Sequence, residues 1–80
     1  MGELEFVLEH TLNQLGIKGN HLAIHSGIRP NTIGDIKNGD VKSLKIETLQ
    51  KILISLNEIA ESKGITRTIT LDDLITFRKK

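Results

Sequence analysis

The chain has no cysteine, which rules out a disulfide framework and a thiolate-held metal site. It has no apolar run approaching the ~20 residues that a membrane-spanning helix requires. Nor is there the excess of one sign of charge that marks a polyanion binder, since eleven Lys and Arg stand against ten Asp and Glu for a formal net charge of +1. The string Met1-Gly2-Glu3-Leu4-Glu5 puts acid where a signal peptide needs positive charge. Gly2 is not followed by the Ser or Thr of a myristoylation signal. A cytoplasmic location is the expectation. No glycine loop of the phosphate-binding kind is present.

What is there fits one small domain of 80 residues, with a core so limited that its stability is modest or shared with a partner. The near-neutral total hides an uneven distribution. Residues 1–16 sum to −3, residues 17–45 to +3 and residues 46–80 to +1, so the basic part is the middle, where His21 and His25 also lie.

Apolar spacing divides the chain into helical segments. Leu4, Leu8, Leu12 and Leu15 form one stripe and predict a first helix over residues 2–15, with Phe6 opposite the stripe and Gly16 as its C-cap. A second helix is expected over residues 20–26, capped by Asn20 and closed by Gly27. A third runs over Pro30–Asn38, with proline in the first turn and Gly39 just past the end. Only Ile28 and Arg29 separate Gly27 from Pro30, so these two helices form a helix-turn-helix unit. After a polar loop, Ile46, Leu49, Ile52, Leu53, Leu56, Ile59 and Ala60 give the strongest apolar face, with Ile54 pointing away and Gly64 as the stop. Residues 65–71 alternate and are rich in β-branched side chains, which predicts a strand. Thr70-Leu71-Asp72-Asp73 reads as a capping box that starts a last short helix through Phe77. The expected class is all-α: a compact bundle of about five short helices with a short β-strand in the C-terminal tail. Residues 1–64 make the domain, and residues 65–80 a tail that can serve as a dimerisation element.

In the middle segment Ala23 must be small where the third helix crosses the second, Gly27 lets the backbone turn left-handed, and Ile28 and Ile33 plug the angle between the helices. The ordered set Leu22-Ala23, Gly27-Ile28, Ile33, Ile36, Asn38-Gly39 and Leu49 resembles the lambda-repressor-like, Cro/cI-type (XRE-like) helix-turn-helix family, over roughly residues 8 to 57. The string Gly27-Ile28-Arg29-Pro30-Asn31-Thr32-Ile33 is similar to phage and mobile-element members. The chain departs from the family at Gly19 where glutamine is usual, at Arg29 where a capping Ser or Thr is usual, at Gly34 inside the third helix, and at Asp35 on its outward side.

The resemblance implies a recognition helix in the major groove of duplex DNA. Arg29, Pro30, Asn31, Thr32 and Asp35 are then the base-reading candidates: Asn31 toward adenine, Arg29 toward guanine or phosphate, Asp35 toward a cytosine amino group, Pro30 and the Thr32 methyl toward a thymine methyl. Lys18, Lys37, Asn38, Lys42, Ser43 and Lys45 are the phosphate candidates. Plainer roles stand beside these. Asn31 and Thr32 can be solvated first-turn residues, Lys42 and Lys45 part of a solvated loop, and Asp35 a device for excluding wrong sequences.

No other chemistry is indicated. His21 and His25 share a helix face but lack a third ligand, so no metal or cofactor is expected. Ser26 and His25 are helix neighbours that do not face each other, and Asp72-Asp73 reads as helix-start charge, so no enzyme is expected. The implied function is a sequence-specific double-stranded DNA-binding regulator, a repressor occupying an inverted-repeat operator as a homodimer. The alternative is a helix-turn-helix module that binds protein, as an antirepressor, antitoxin or assembly subunit. Apolar residues left over for dimerisation are Ile54, Ile65, Ile69 and Phe77, with the tail pairing across a two-fold axis. The competing arrangement folds the tail onto its own domain, with Phe77 capping the first helix near Phe6.

Overall fold

The computed structural model describes residues 2–41 and 43–79. In chain order they form β1 (Gly2–Phe6), α1 (Leu8–Leu15), α2 (Gly19–Ser26), α3 (Pro30–Asn38), α4 (Ile46–Ser62), a 3-10 turn (Leu71–Asp73) and β2 (Ile75–Lys79). The fold is thus mostly helical, with four α-helices rather than about five among the described residues, and a two-stranded antiparallel sheet. No described helix is long and apolar enough to cross a membrane.

The expected first helix is cut to its second half. Leu8, Thr11, Leu12 and Leu15 keep the helical stripe and are buried. Residues 2–6 instead alternate, Gly-Glu-Leu-Glu-Phe, and pair with β2 in the register Gly2↔Lys79, Leu4↔Phe77, Phe6↔Ile75. The reason lies in Phe6. A helix would turn it away from the stripe into water, whereas the strand's two-residue period sets Phe6 and Ile75 together against the core. The Phe77 ring lies over Gly2, in the space an added Cβ would take.

The second helix begins one residue before its expected cap. Lys18, not Asn20, is the N-cap, and it makes no side-chain cap hydrogen bond. Gly27 takes φ +74°, the left-handed turn that leads α2 into α3, and Ala23 is buried beneath that crossing. The third helix has the expected bounds. In α4 the apolar face runs through Ile52, Leu56, Ile59 and Ala60, with Leu49 and Leu53 half-buried. Ile46 was expected on that face, but as the first helical residue it lies beyond the reach of the other helices and is 79% exposed. Ile54 does point away.

After Gly64 the chain returns across the bundle. Residues 65–71 do not form the expected strand: the Ile65 N–H donates to the Ala60 carbonyl, and the hydrogen bonds of Ile69 go to a side chain. Asn57 on α4 donates from Nδ2 to the Ile69 carbonyl at 3.0 Å and accepts the Ile69 N–H on Oδ1 at 2.8 Å. Ile69 is thereby turned into the core, 2% exposed. Arg67 donates from Nη2 to Gln14 Oε1 on α1 at 3.0 Å and from Nη1 to Asp73 Oδ1 at 2.8 Å. The capping box at Thr70 and Asp73 is present, with the Thr70 N–H donating to Asp73 Oδ2 at 2.8 Å. It starts a single 3-10 turn rather than a helix through Phe77, since Leu74 is buried at once and the residues after it alternate as a strand. The buried Thr11 hydroxyl donates to the Asp73 carbonyl, and the Val7 N–H to the Leu74 carbonyl at 2.7 Å.

The interface expectations for the tail need correction on this basis. Ile69 belongs to its own core and Ile65 is packed half-buried against it, so neither side chain is presented outward. Ile54 and Phe77 remain exposed. The tail folds onto its own domain, but Phe77 pairs with Leu4 instead of capping α1.

Replacing Asn57 with alanine should lower unfolding free energy by about 1–3 kcal/mol, because the Ile69 N–H and C=O lose their partners; urea denaturation reads this directly. Partial burial pushes the Asp73 carboxyl up, but Arg67 and the Thr70 N–H and hydroxyl together outweigh it and hold the pKa below the ordinary value. A depressed folded pKa adds stability above the ordinary carboxylate range and loses it as pH falls through the folded value. Asp73→Asn should therefore be less stable than the unsubstituted chain at neutral pH and close to it in acid, in urea midpoints taken at both.

Candidate functional site

The outward face of α3 follows from its inward one. Ile33 and Ile36 are buried, and at 100° per residue Asn31, Asp35 and Asn38 fall within an arc of about 60° on the opposite side. All three are exposed. Thr32 flanks the arc half-buried, while Arg29 and Pro30 stand exposed at the start of the helix. Asp35 has no ion-pair partner among the described residues. This helix of nine residues is about 13 Å long at 1.5 Å per residue.

Gly34 adjoins the arc, and its backbone does not require glycine. It is not among the residues with positive φ, and an added Cβ would meet nothing within 4 Å. Glycine inside a helix costs about 1 kcal/mol relative to alanine, so the bare position runs against the helix's own preference, and no described residue fills it.

Gly19 is the opposite case. A Cβ there would lie 3.2 Å from Lys37 Cδ and 3.3 Å from Ile33 Cγ2. The Lys37 stem, reaching back from the last turn of α3, occupies the space at the start of α2 where the resemblance led to an expected glutamine. Lys37 also lines a cleft with Lys18 and Glu9 on one side. On the other it borders an open cleft of about 540 Å³ with Asn38, Ser43, Leu44, Phe6 and Glu5. Four of the proposed phosphate contacts, Lys18, Lys37, Asn38 and Ser43, are thus gathered around the C-terminal end of α3. Arg29 and Pro30 lie at the other end, beside Ile24 and Ile28. Lys45 is exposed at the start of α4, and Lys42 lies outside the described residues.

Three helix starts share one feature. The N-caps of α2, α3 and α4 are Lys18, Arg29 and Lys45, and none makes a side-chain cap hydrogen bond. A cation at the positive end of a helix is unfavourable by about 0.3–1 kcal/mol at an exposed position. Sequence reasoning named Arg29 as lacking a capping oxygen but placed Asn20 over the start of α2. The pattern common to all three ends became legible only once the true boundary was known.

Some residues went unremarked in the sequence. Ile24 on α2 is 75% exposed beside the α2–α3 turn. Asn57, Thr11 and the Arg67–Gln14 pair carry the long-range hydrogen bonds. Asn57 gave a faint signal, a polar side chain interrupting the apolar run of α4. His21 and His25 are both exposed, and no group of three or more metal-ligating side chains gathers among the described residues. Comparison with family models, curated proteins and solved structures finds no match.

Gly34→Ala should raise the thermal midpoint, corresponding to a stabilisation of about 1 kcal/mol, because it removes a helix penalty without a steric one. A drop in midpoint in a differential scanning measurement would mean that the glycine serves the fold after all.

Proposed function

We propose that the chain is a sequence-specific double-stranded DNA-binding regulator, a repressor in which α2, the Gly27 turn and α3 act as a helix-turn-helix and α3 enters the major groove. The observation that carries this reading is the outward face of α3. It presents Asn31, Asp35 and Asn38, with Arg29 exposed at the start of the helix, and it leaves Gly34 without a side chain. An α-helix, about 10–12 Å across with its side chains, fits a major groove about 12 Å wide that is walled by phosphates. Asn31 reads a base edge, and bare backbone at Gly34 admits close approach to the groove floor.

The three basic helix starts support the same reading. Their N–H groups and the side chains of Lys18, Arg29 and Lys45 repel one another's charge in the free protein and attract a phosphate when one is present. A single short helix reads too few bases for an operator, so two copies act on an inverted repeat. The natural setting for such a regulator is the cytoplasm. A second reading, a module that binds protein and not DNA, draws on exposed Ile24 and Pro30 beside half-buried Ile28 at the turn.

Selection from random duplex DNA separates the two: an enriched inverted repeat supports the regulator, and no enrichment supports the protein-binding module. On the enriched site Asn31→Ala should weaken binding by about 1–3 kcal/mol and relax the preference at one base pair. Affinity should fall with salt at a log–log slope of about −0.9 for each phosphate neutralised. Lys37→Ala should make that slope shallower, as measured by fluorescence anisotropy across a salt series.

A further inference from the structure

The outward side of α3 sets an acid next to a bare position. At 100° per residue Asn31 and Asn38 fall nearly in line, and Gly34 and Asp35 stand on either side of that line, each within about 60° of it. Asn31 and Asn38 are seven residues apart, about 10 Å along the axis, so a base edge can pass between them and lie over Gly34 and Asp35. A Cβ at Gly34 would meet nothing within 4 Å. Asp35 is exposed, and no described residue pairs with its carboxylate. Pro30, also exposed, lies one turn before Gly34 on the same side of the helix. The helix thus offers an acceptor and, beside it, a notch with an apolar edge.

Asp35 sets the first requirement. Between walls of phosphate a carboxylate is repelled, and only a donor on a base edge offsets that. In the major groove the donors are the N4 amino group of cytosine and the N6 amino group of adenine. Adenine places its N7 acceptor beside the amino group, so a carboxylate there also meets a lone pair. Cytosine has no such neighbour: the ring atom beside its amino-bearing carbon is C5. Asp35 therefore favours cytosine.

Gly34 sets the second requirement. Its Cα is about 3.8 Å from that of Asp35, and on cytosine the C5 position is likewise next to the N4 amino group. A base edge crossing the helix from Asp35 to Gly34 directs its C5 substituent into the notch. Hydrogen on C5 leaves the notch empty, whereas a methyl group fills the space that a Cβ would take and touches the Pro30 ring. Thymine carries that methyl group too, but its neighbouring O4 is an acceptor and faces Asp35 with like polarity.

We propose that Gly34 and Asp35 together form a recognition site for 5-methylcytosine in duplex DNA. Asp35 accepts the N4–H, and the C5 methyl group enters the notch at Gly34. Each rival base fails on one count: cytosine lacks the methyl group, thymine lacks the donor, and adenine sets N7 against the carboxylate. The inference rests on the DNA-binding reading and adds that operator binding responds to methylation.

The test starts from a site selected from random duplex DNA. Its cytosine–guanine pairs are replaced one at a time by 5-methylcytosine–guanine and by thymine–adenine, and affinity is read by fluorescence anisotropy. At one position 5-methylcytosine should bind about three- to fivefold tighter than cytosine, the effect of burying one methyl group. Thymine there should bind at least about fivefold more weakly than 5-methylcytosine. Gly34→Ala should erase the methyl gain and leave affinity for the unmethylated site within about twofold, since alanine suits the helix better than glycine and the variant stays folded. Asp35→Asn should bring thymine within about twofold of 5-methylcytosine, because an amide can also donate to O4. A selected site indifferent to methylation at every cytosine, or a methyl gain that survives Gly34→Ala, overturns this assignment and leaves the DNA-binding reading intact. Failure to select any site overturns both.

Discussion

The fold depends on one side chain reading another segment's backbone. Asn57 sits on α4, which already belongs to the helical core, and its amide completes both hydrogen bonds of Ile69 twelve residues further on. Without that, residues 65–71 would cross an apolar surface with a donor and an acceptor unsatisfied, at a penalty that opposes burial of Ile69. With it, the tail is fixed in direction. Arg67 can then reach Gln14 and Asp73, Leu74 is delivered to the core, and β2 is brought alongside β1. Ile69 and Leu74 are buried residues of the main cluster, so the segment beyond Gly64 is part of the same core and not an appendage to it.

Local signals were enough wherever one segment satisfied itself. Pro30 and Gly39 bound α3 correctly because the ring's fixed φ and the left-handed glycine act on their own residues. Gly27 takes the left-handed backbone expected of it, and the Thr70–Asp73 capping box spans only four residues. What stayed hidden was non-local. Residues 2–6 read as helix because Leu4 is in step with Leu8. Only a partner strand seventy residues away makes the competing period of two the favourable one. Residues 65–71 read as strand because β-branched alternation predicts extended backbone but cannot say that the hydrogen bonds will come from Asn57. The candidate site was legible as a set of outward residues on α3. Its crowding was not, since the Lys37 stem lying over Gly19 depends on the angle at which two helices cross.

Stable small proteins place each local choice in agreement with the whole, and disagreements tend to collect where a surface has another use. Here they collect on one region. Gly34 weakens the exposed face of α3, and Lys18, Arg29 and Lys45 stand at helix starts where an acid or hydroxyl would stabilise more. In the segment after Gly64, by contrast, Thr70 and Asp73 cap correctly, and Arg67 is paired.

Pairing the first strand with the last also sets the order in which the molecule can be completed. During synthesis β1 leaves the ribosome before β2, with the four described helices emerging between them. The helices rest on contacts close in sequence and form early, whereas the ribbon closes a loop of some seventy residues and carries the corresponding entropic delay. Until then Gly2–Phe6 is a strand without a sheet, and its two glutamates keep it hydrated and away from other nascent copies. The two glutamates of β1 thus also act in the interval before β2 is available to pair with it.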